Sequence, residues 1–248
     1  LVLDKKITLI DTVKHYLCDE MLERIRSVID PSSIECIISN HVEMDHSGSL
    51  PVMTQIAPKA LIYASPNGMK GLTEHYGIIP NLKAVQNGET VNTGSYNFTF
   101  VLTPMVHWPD NMVTYLPEEQ ILFSNDAFGQ HIASAERFDD EYPLDIILFE
   151  ARKYYANIVL PYSEQVKKAL AAASALKIDI IAPSHGIIWR KNIGSIVSSY
   201  GDWSANKTED KALIVYDTMW NSTKKIAGAI ADAFEERGYP AVMMSLQT

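Results

Sequence analysis

Four short apolar runs in this chain each end in residues that bind metals, and that recurrence restricts the possible folds more than any other feature. Ile34-Glu35-Cys36-Ile37-Ile38 leads into His41-Val42-Glu43-Met44-Asp45-His46, which holds four potential ligands in six residues. His107 follows Phe98-Thr99-Phe100-Val101-Leu102 after a short turn, Asp126 follows Ile121-Leu122-Phe123, and His185 follows Ile178-Asp179-Ile180-Ile181-Ala182. Short runs rich in β-branched and aromatic residues read as strands. A ligand just past a strand sits on a stiff support at the edge of a cleft. A lone His or Asp in such a place is more often structural, but four strand ends that all close this way are hard to obtain by chance.

The rest of the chain supplies the frame. Strands are expected at 7–10, 34–38, 60–64, 97–103, 112–116, 120–124 and 178–182, and helices at 19–29, 48–57, 66–76, 163–176 and 187–199. In 163–176, Val166, Leu170, Ala173 and Leu176 recur at helical spacing with lysines on the other faces, so this helix packs on a sheet. The middle strands pair like hairpins and the flanks alternate strand with helix. The fold class is therefore mixed α/β (α+β), a sheet sandwich covered by helices.

At Gly201–Asp210 the composition turns polar, which reads as a linker. Beyond it, Leu213–Tyr216 is a strand and 222–237 a helix whose Ile226, Ile230 and Phe234 should be buried. Gly238 then stops the helix, and Ala241–Met244 forms a second strand. This is the opening of a parallel α/β sheet. The expected division is 1–202 and 211–248. The chain starts inside one apparent strand and stops just after another, so it is expected to be a piece of a longer protein.

Thr218-Met219-Trp220-Asn221-Ser222-Thr223 lies between strand and helix start. Hydroxyl and amide groups there, with the N–H groups of the first helical turn, make a phosphate nest. Ser and Thr at a helix start are usually only caps, so the signal is moderate by itself.

Charge and composition exclude several classes of partner. A net charge of −9 over 248 residues argues against nucleic acid or an anionic membrane surface, which need clustered Lys and Arg. No apolar run reaches the ~18 residues of a spanning helix. Cys18 and Cys36 are far apart and read as reduced, buried thiols, which fits a cytoplasmic setting.

His41, Glu43, Asp45, His46, His107, Asp126 and His185 are too many for one tetrahedral ion. They suit two ions about 3.5–4 Å apart that share a carboxylate. The order and spacing resemble the metallo-β-lactamase superfamily, whose pattern is His-x-His-x-Asp-His followed by distant His, Asp and His. Here Glu43 replaces the second His. Carboxylate in place of imidazole moves a site from zinc toward harder ions and iron.

His-x-Glu-x-Asp-His resembles the flavodiiron proteins, or A-type flavoproteins. So do Met105-Val106-His107-Trp108-Pro109-Asp110, Asn125-Asp126-Ala127-Phe128-Gly129-Gln130-His131, Lys153-Tyr154-Tyr155-Ala156-Asn157 and Ala182-Pro183-Ser184-His185-Gly186-Ile187-Ile188-Trp189. The resemblance implies an αββα metallo-β-lactamase-like diiron domain over 1–202 and the start of a flavodoxin-like FMN domain over 211–248. It implies one iron at His41, Glu43, His107 and Asp126 and a second at Asp45, His46, Asp126 and His185, with Asp126 bridging. FMN phosphate would sit at Thr218, Met219, Trp220, Asn221, Ser222 and Thr223.

The activity implied is reduction of dioxygen to water or nitric oxide to nitrous oxide in the cytoplasm. The electron donor would be rubredoxin or a reduced deazaflavin or flavin reductase, and the assembly a head-to-tail homodimer or a tetramer. His15 and His75 read as surface or helix positions, His131 as an outer-shell candidate, and Tyr154 and Tyr155 as either pocket or core. A dizinc hydrolase of the same fold is the alternative, and a metal-free FMN carrier would leave the seven ligands unexplained.

Overall fold

The computed structural model describes residues 1–247 and separates into two compact units, Leu1–Ala205 and the residues from Asn206 onward. The first unit holds two sheets. One is parallel, in the order β1 (Ile7–Ile10), β2 (Ile34–Ser39), β3 (Leu61–Ala64), β4 (Leu82–Ala84). The other is mixed, in the order β5 (Thr90–Asn92), β6 (Asn97–Leu102), β7 (Met112–Leu116), β8 (Ile121–Asn125), β9 (Ile180–Pro183). Its first four strands are antiparallel, and β9 runs parallel to β8.

Three apolar layers show how these pieces stack. Cys36, Ile38, Tyr63, Val85, Phe98, Phe100, Met112 and Leu116 fill the space between the sheets. Ile37, Ile62 and Ala64 face the opposite way, under α1 (Cys18–Arg26), α3 (Leu50–Ile56) and α4 (Pro66–Tyr76). On the far side, Val113, Tyr115, Leu122 and Ile181 lie under α5 (Leu144–Tyr154), α6 (Ser163–Ala173) and α7 (Ile193–Ser204). The two-residue period of a strand sorts Cys36 and Ile38 from Ile37, so one strand serves two cores. The result is an αββα sandwich, as the strand and helix pattern led one to expect.

Several elements depart from the sequence reading. α5 was not expected at all. Its segment 144–154 carries Ile147, Ala151 and Tyr154 on one buried stripe, but charged residues interrupt it closely enough to hide the period. Residues 187–192 are not helical, because Trp189 pairs back across to Ile181 and Ile188 to Phe138. α7 begins only at Ile193 and runs through Gly201–Ser204, the start of the supposed linker. The stripe Ile196–Tyr200 continues to Trp203, and packing of those rings outweighs the polar composition.

In the second unit, β10 (Ala212–Tyr216) and β11 (Ala241–Ser245) pair in parallel beside α8 (Ser222–Glu235). Here the expected burial is corrected. α8 turns Ala227 and Ala231 inward, while Ile226, Ile230 and Phe234 stay exposed, Ile226 at 61%. Two strands cover only one face of a helix. Gly238 does adopt the left-handed conformation that ends the helical segment, at φ +80.

Candidate metal centre

The ligand-type residues lie in loops that follow β2, β6, β8 and β9, and local chemistry shapes each loop. After β2, a single turn α2 (Met44–Ser47) forms because Glu43 O accepts from His46 N and Ser47 N, both at 2.9 Å, and Ser47 Oγ donates to Val42 O at 2.6 Å. Gly48 lies so close to Met44 O and to His15 N that a Cβ would not fit. After β8 and β9, parallel pairing sets Asn125 opposite Pro183, so Asp126 and His185 leave adjacent strands together. Gln130 clips the two loops: its N donates to His185 O at 3.2 Å, and its Oε1 accepts from Ile187 N at 2.7 Å.

Seven side chains meet there in two groups. Atoms of His41, Glu43, His107 and Asp126 lie within 4.8 Å of one another, as do those of Asp45, His46 and His185. Glu43 Oε2 lies 3.3 Å from both His41 Nε2 and His107 Nε2. Asp126 Oδ2 lies 3.5 Å from His41 Nε2 and 3.2 Å from His107 Nε2. The other Asp126 oxygen, Oδ1, lies 3.1 Å from His46 Nε2 and 3.1 Å from His185 Nε2, and Asp45 Oδ2 is 3.3 Å from His185 Nε2. Asp126 thus turns one oxygen to each group.

These separations fit metal binding better than direct pairing. Two atoms bound tetrahedrally at about 2.1 Å are about 3.4 Å apart, close to most of the values above. Asp45 Oδ1, His46 Nδ1 and Asp126 Oδ2 are buried without a hydrogen-bond partner, which is costly unless something further engages the site. The carboxylate and imidazole set suits two divalent ions that share Asp126.

Three buried residues support the cluster from behind, and of these the sequence offers a role only for Tyr154, as pocket or core. Asp110 Oδ2 accepts from His41 Nδ1 at 2.9 Å and Val42 N at 2.8 Å. A proton on Nδ1 leaves Nε2 free to bind metal. Asp11, at the end of β1, accepts from Asn40 N at 2.7 Å and Nδ2 at 3.2 Å, which pins the loop behind His41. Tyr154 OH donates to Asp126 Oδ1 at 2.9 Å. Position past a strand could have flagged Asp11, but Asp110 and Tyr154 carry no local signal.

The adjacent tyrosines divide the two roles left open for them. Tyr154 reaches the cluster, and Tyr155 packs with Tyr200 and Trp203 in the core. His131 is exposed, with its ring edge against Tyr154 at 4.8 Å. Trp108 stands edge-on to His41 at 5.2 Å and covers that side of the site.

The electrostatics follow from burial opposed by pairing. Burial disfavours the charged form of His41, but hydrogen bonds to Asp110 and Glu43 override it and raise its pKa to about 10. His185 is raised to about 9 in the same way, by Asp126 and Asp45 against burial. Burial alone would raise Asp126, yet the surrounding histidines hold it far below the usual carboxylate range. Burial, then the Asp126 charge, pushes the Tyr154 phenol well up, so its proton stays available to donate. Burial raises Asp11, with His46 opposing.

The second unit holds the other candidate residues. Thr218 lies between β10 and α8, and its Oγ1 is buried without a partner. Thr218 N donates to Asp217 Oδ1 at 2.7 Å, and Asn221 takes the left-handed conformation at φ +62 ahead of α8 with no side-chain cap. Met219, Trp220, Ser222 and Thr223 are exposed, Trp220 at 82%. An orphaned hydroxyl in the loop ahead of a 14-residue helix is a fitting donor to a phosphate oxygen.

Several known proteins are similar to this chain in sequence and fold. Residues 1–186 match the family model described as "ODP family beta lactamase". The chain is 41% identical over 249 residues to the nitric oxide reductase of Moorella thermoacetica, covering 99% of this chain and 62% of that protein. The structure of the rubredoxin oxygen:oxidoreductase of Desulfovibrio gigas superposes with a TM-score of 0.95 at 38% identity, over 100% of this chain and 63% of that one. The flavodiiron protein of Giardia intestinalis superposes with a TM-score of 0.91 at 32% identity, over 97% and 60%. The chain therefore spans about three fifths of the length of these relatives.

Proposed function

Because this chain belongs to the flavodiiron proteins, with their ODP-type β-lactamase-fold domain, we propose that it is an oxidoreductase that reduces dioxygen to water, nitric oxide to nitrous oxide, or both. Electrons would enter through FMN. One observation carries the proposal: the two oxygens of Asp126 face two separate ligand groups, one of which contains Glu43 where zinc hydrolases of this fold place His. His41, Glu43, His107 and Asp126 would hold one iron, and Asp45, His46, Asp126 and His185 the other. Bound there, two irons would supply electrons to a small diatomic substrate.

The protein's own residues orient and enclose. Asp110 holds the His41 ring with Nε2 inward, and Tyr154 anchors the shared carboxylate by donating to Oδ1. Trp108 shields the His41 side from water. Thr218, Asn221, Ser222 and Thr223, beside Met219 and Trp220, would hold the FMN phosphate. The name of one relative, rubredoxin-oxygen oxidoreductase, supports rubredoxin as an electron donor, and a reduced deazaflavin or flavin reductase is the alternative donor. A head-to-tail homodimer, or a tetramer built from it, would bring flavin and metal of different subunits together. No helix among the described residues is long and apolar enough to cross a membrane, and the proposed location is the cytoplasm.

Metal and flavin analysis of the purified full-length protein, followed by anaerobic addition of each gas to the reduced form, tests the reading. Iron with FMN and consumption of either gas is the expected result. Zinc without flavin, together with hydrolysis of a thioester, phosphodiester or lactam, would establish the dizinc alternative instead.

A further inference from the structure

Behind the metal cluster the first unit contains a second compartment of different chemistry. A cavity of about 50 Å³ lies under α6, where Val166, Ala169, Leu170 and Ala173 form one face at helical spacing. The opposite wall includes Val106, Ala127 and Phe128. Val106 directly precedes His107, and Ala127 directly follows Asp126, so the cavity lies against the backbone that carries two of the proposed ligands. Val101, Thr103 and Ala169 also line a depression of about 200 Å³ with Gln165, Lys168 and Ala172, so the cavity and the depression are neighbours that share these three residues.

The lining decides what can occupy this space. A buried water needs two to four polar partners, and an apolar void without them stays dry. Two lining side chains are polar: the Tyr200 hydroxyl accepts from Phe128 N at 2.7 Å and keeps its own O–H to donate, and Thr103 Oγ1 is buried without any partner. These two hydroxyls are at most the minimum set of partners that a buried water needs, and the rest of the lining is apolar. Apolar cavities of this kind take up small apolar molecules and xenon. The volume admits a diatomic gas and excludes a drug-sized ligand.

We propose that this cavity is a binding compartment for a small apolar gas molecule, placed against the segments that hold His107 and Asp126. That its natural occupant is dioxygen or nitric oxide rests on the reductase reading above. The binding itself does not.

Two measurements on the full-length, metal-loaded protein test it. Xenon is the direct probe, located by anomalous scattering in pressurised crystals and titrated by xenon NMR in solution. Xenon should occupy the cavity in the wild type and be lost from it in Ala169→Val and in Ala173→Val, each of which adds two methyl groups to the α6 face. In steady-state assays both variants should raise the KM for the gas several-fold, with kcat and metal content unchanged. Absence of xenon from the cavity overturns the proposal, and so does an unchanged KM in variants that have lost xenon. If one variant fails to fold, the other and the wild-type xenon site still decide. If the wild type turns over neither gas, the reductase reading falls and the xenon result alone decides whether the cavity binds gas.

Discussion

Asp110 is 3% exposed, and one of its oxygens holds both the His41 ring and the Val42 backbone. Removing the carboxylate altogether leaves two buried donors unpaired. Hydrogen bonds to a charged group contribute roughly 1.5–3 kcal/mol each, so Asp110→Ala costs on the order of 3–6 kcal/mol, a large part of a typical domain's stability. Asp110→Asn is the informative change. It keeps an acceptor of the same shape and removes the charge that favours a proton on His41 Nδ1. Loss of such an outer partner typically weakens metal binding about 10–100-fold, or about 1.4–2.8 kcal/mol. Competition with a chromophoric chelator should show that weakening for the ion at His41, Glu43 and His107, with the circular dichroism spectrum intact. In the metal-free protein, NMR titration of His41 should show its raised pKa falling, a change that a merely structural role would not produce. Wild-type affinity for both ions together with an unmoved His41 titration would refute this account of Asp110.

Metal uptake should strengthen as pH rises, because metal must displace protons from His41 and His185, raised to about 10 and about 9. In the metal-free protein both folded pKa values exceed the unfolded value of about 6.5. Their stabilisation is therefore complete below about pH 6.5 and is lost as pH climbs through 9 to 10; a metal-free unfolding midpoint that rises over that window would contradict it. Glu43→His should shift the purified protein's metal content from iron toward zinc and abolish gas reduction, and a variant that still loads iron and turns over would show that Glu43 is not the determinant. Gly186→Ala should destabilise by about 1–3 kcal/mol: φ is +83, and a Cβ would meet Gln130 Oε1 and lie 2.5 Å from Gln130 O. Thermal unfolding within a degree of wild type would refute that. Thr103→Val should be neutral or stabilising in chemical unfolding, since it removes a buried hydroxyl that has no partner.

The sequence by itself picked out the residues that converge at the candidate site and much of the frame. His41, Glu43, Asp45, His46, His107, Asp126 and His185 could be picked out because strand pattern and ligand type are both local properties, readable within a few residues. The same holds for β2, β6, β7 and β8, whose apolar runs mark them plainly. Tertiary structure alone decided how these pieces were used. Asp110 and Tyr154 matter through partners 69 and 28 residues away, His41 and Asp126, and no local pattern announces such a pairing. The start of α7 was misplaced because Trp189 pairs with Ile181 instead of continuing a helix. The Ile226, Ile230 and Phe234 stripe was read as buried because periodicity shows that a helix has an apolar face; only the packed chain shows whether anything covers it. Propensity and residue type act over one or two turns of chain, whereas the division of Asp126's two oxygens between two ligand groups depends on four strand ends that meet only when both sheets have formed.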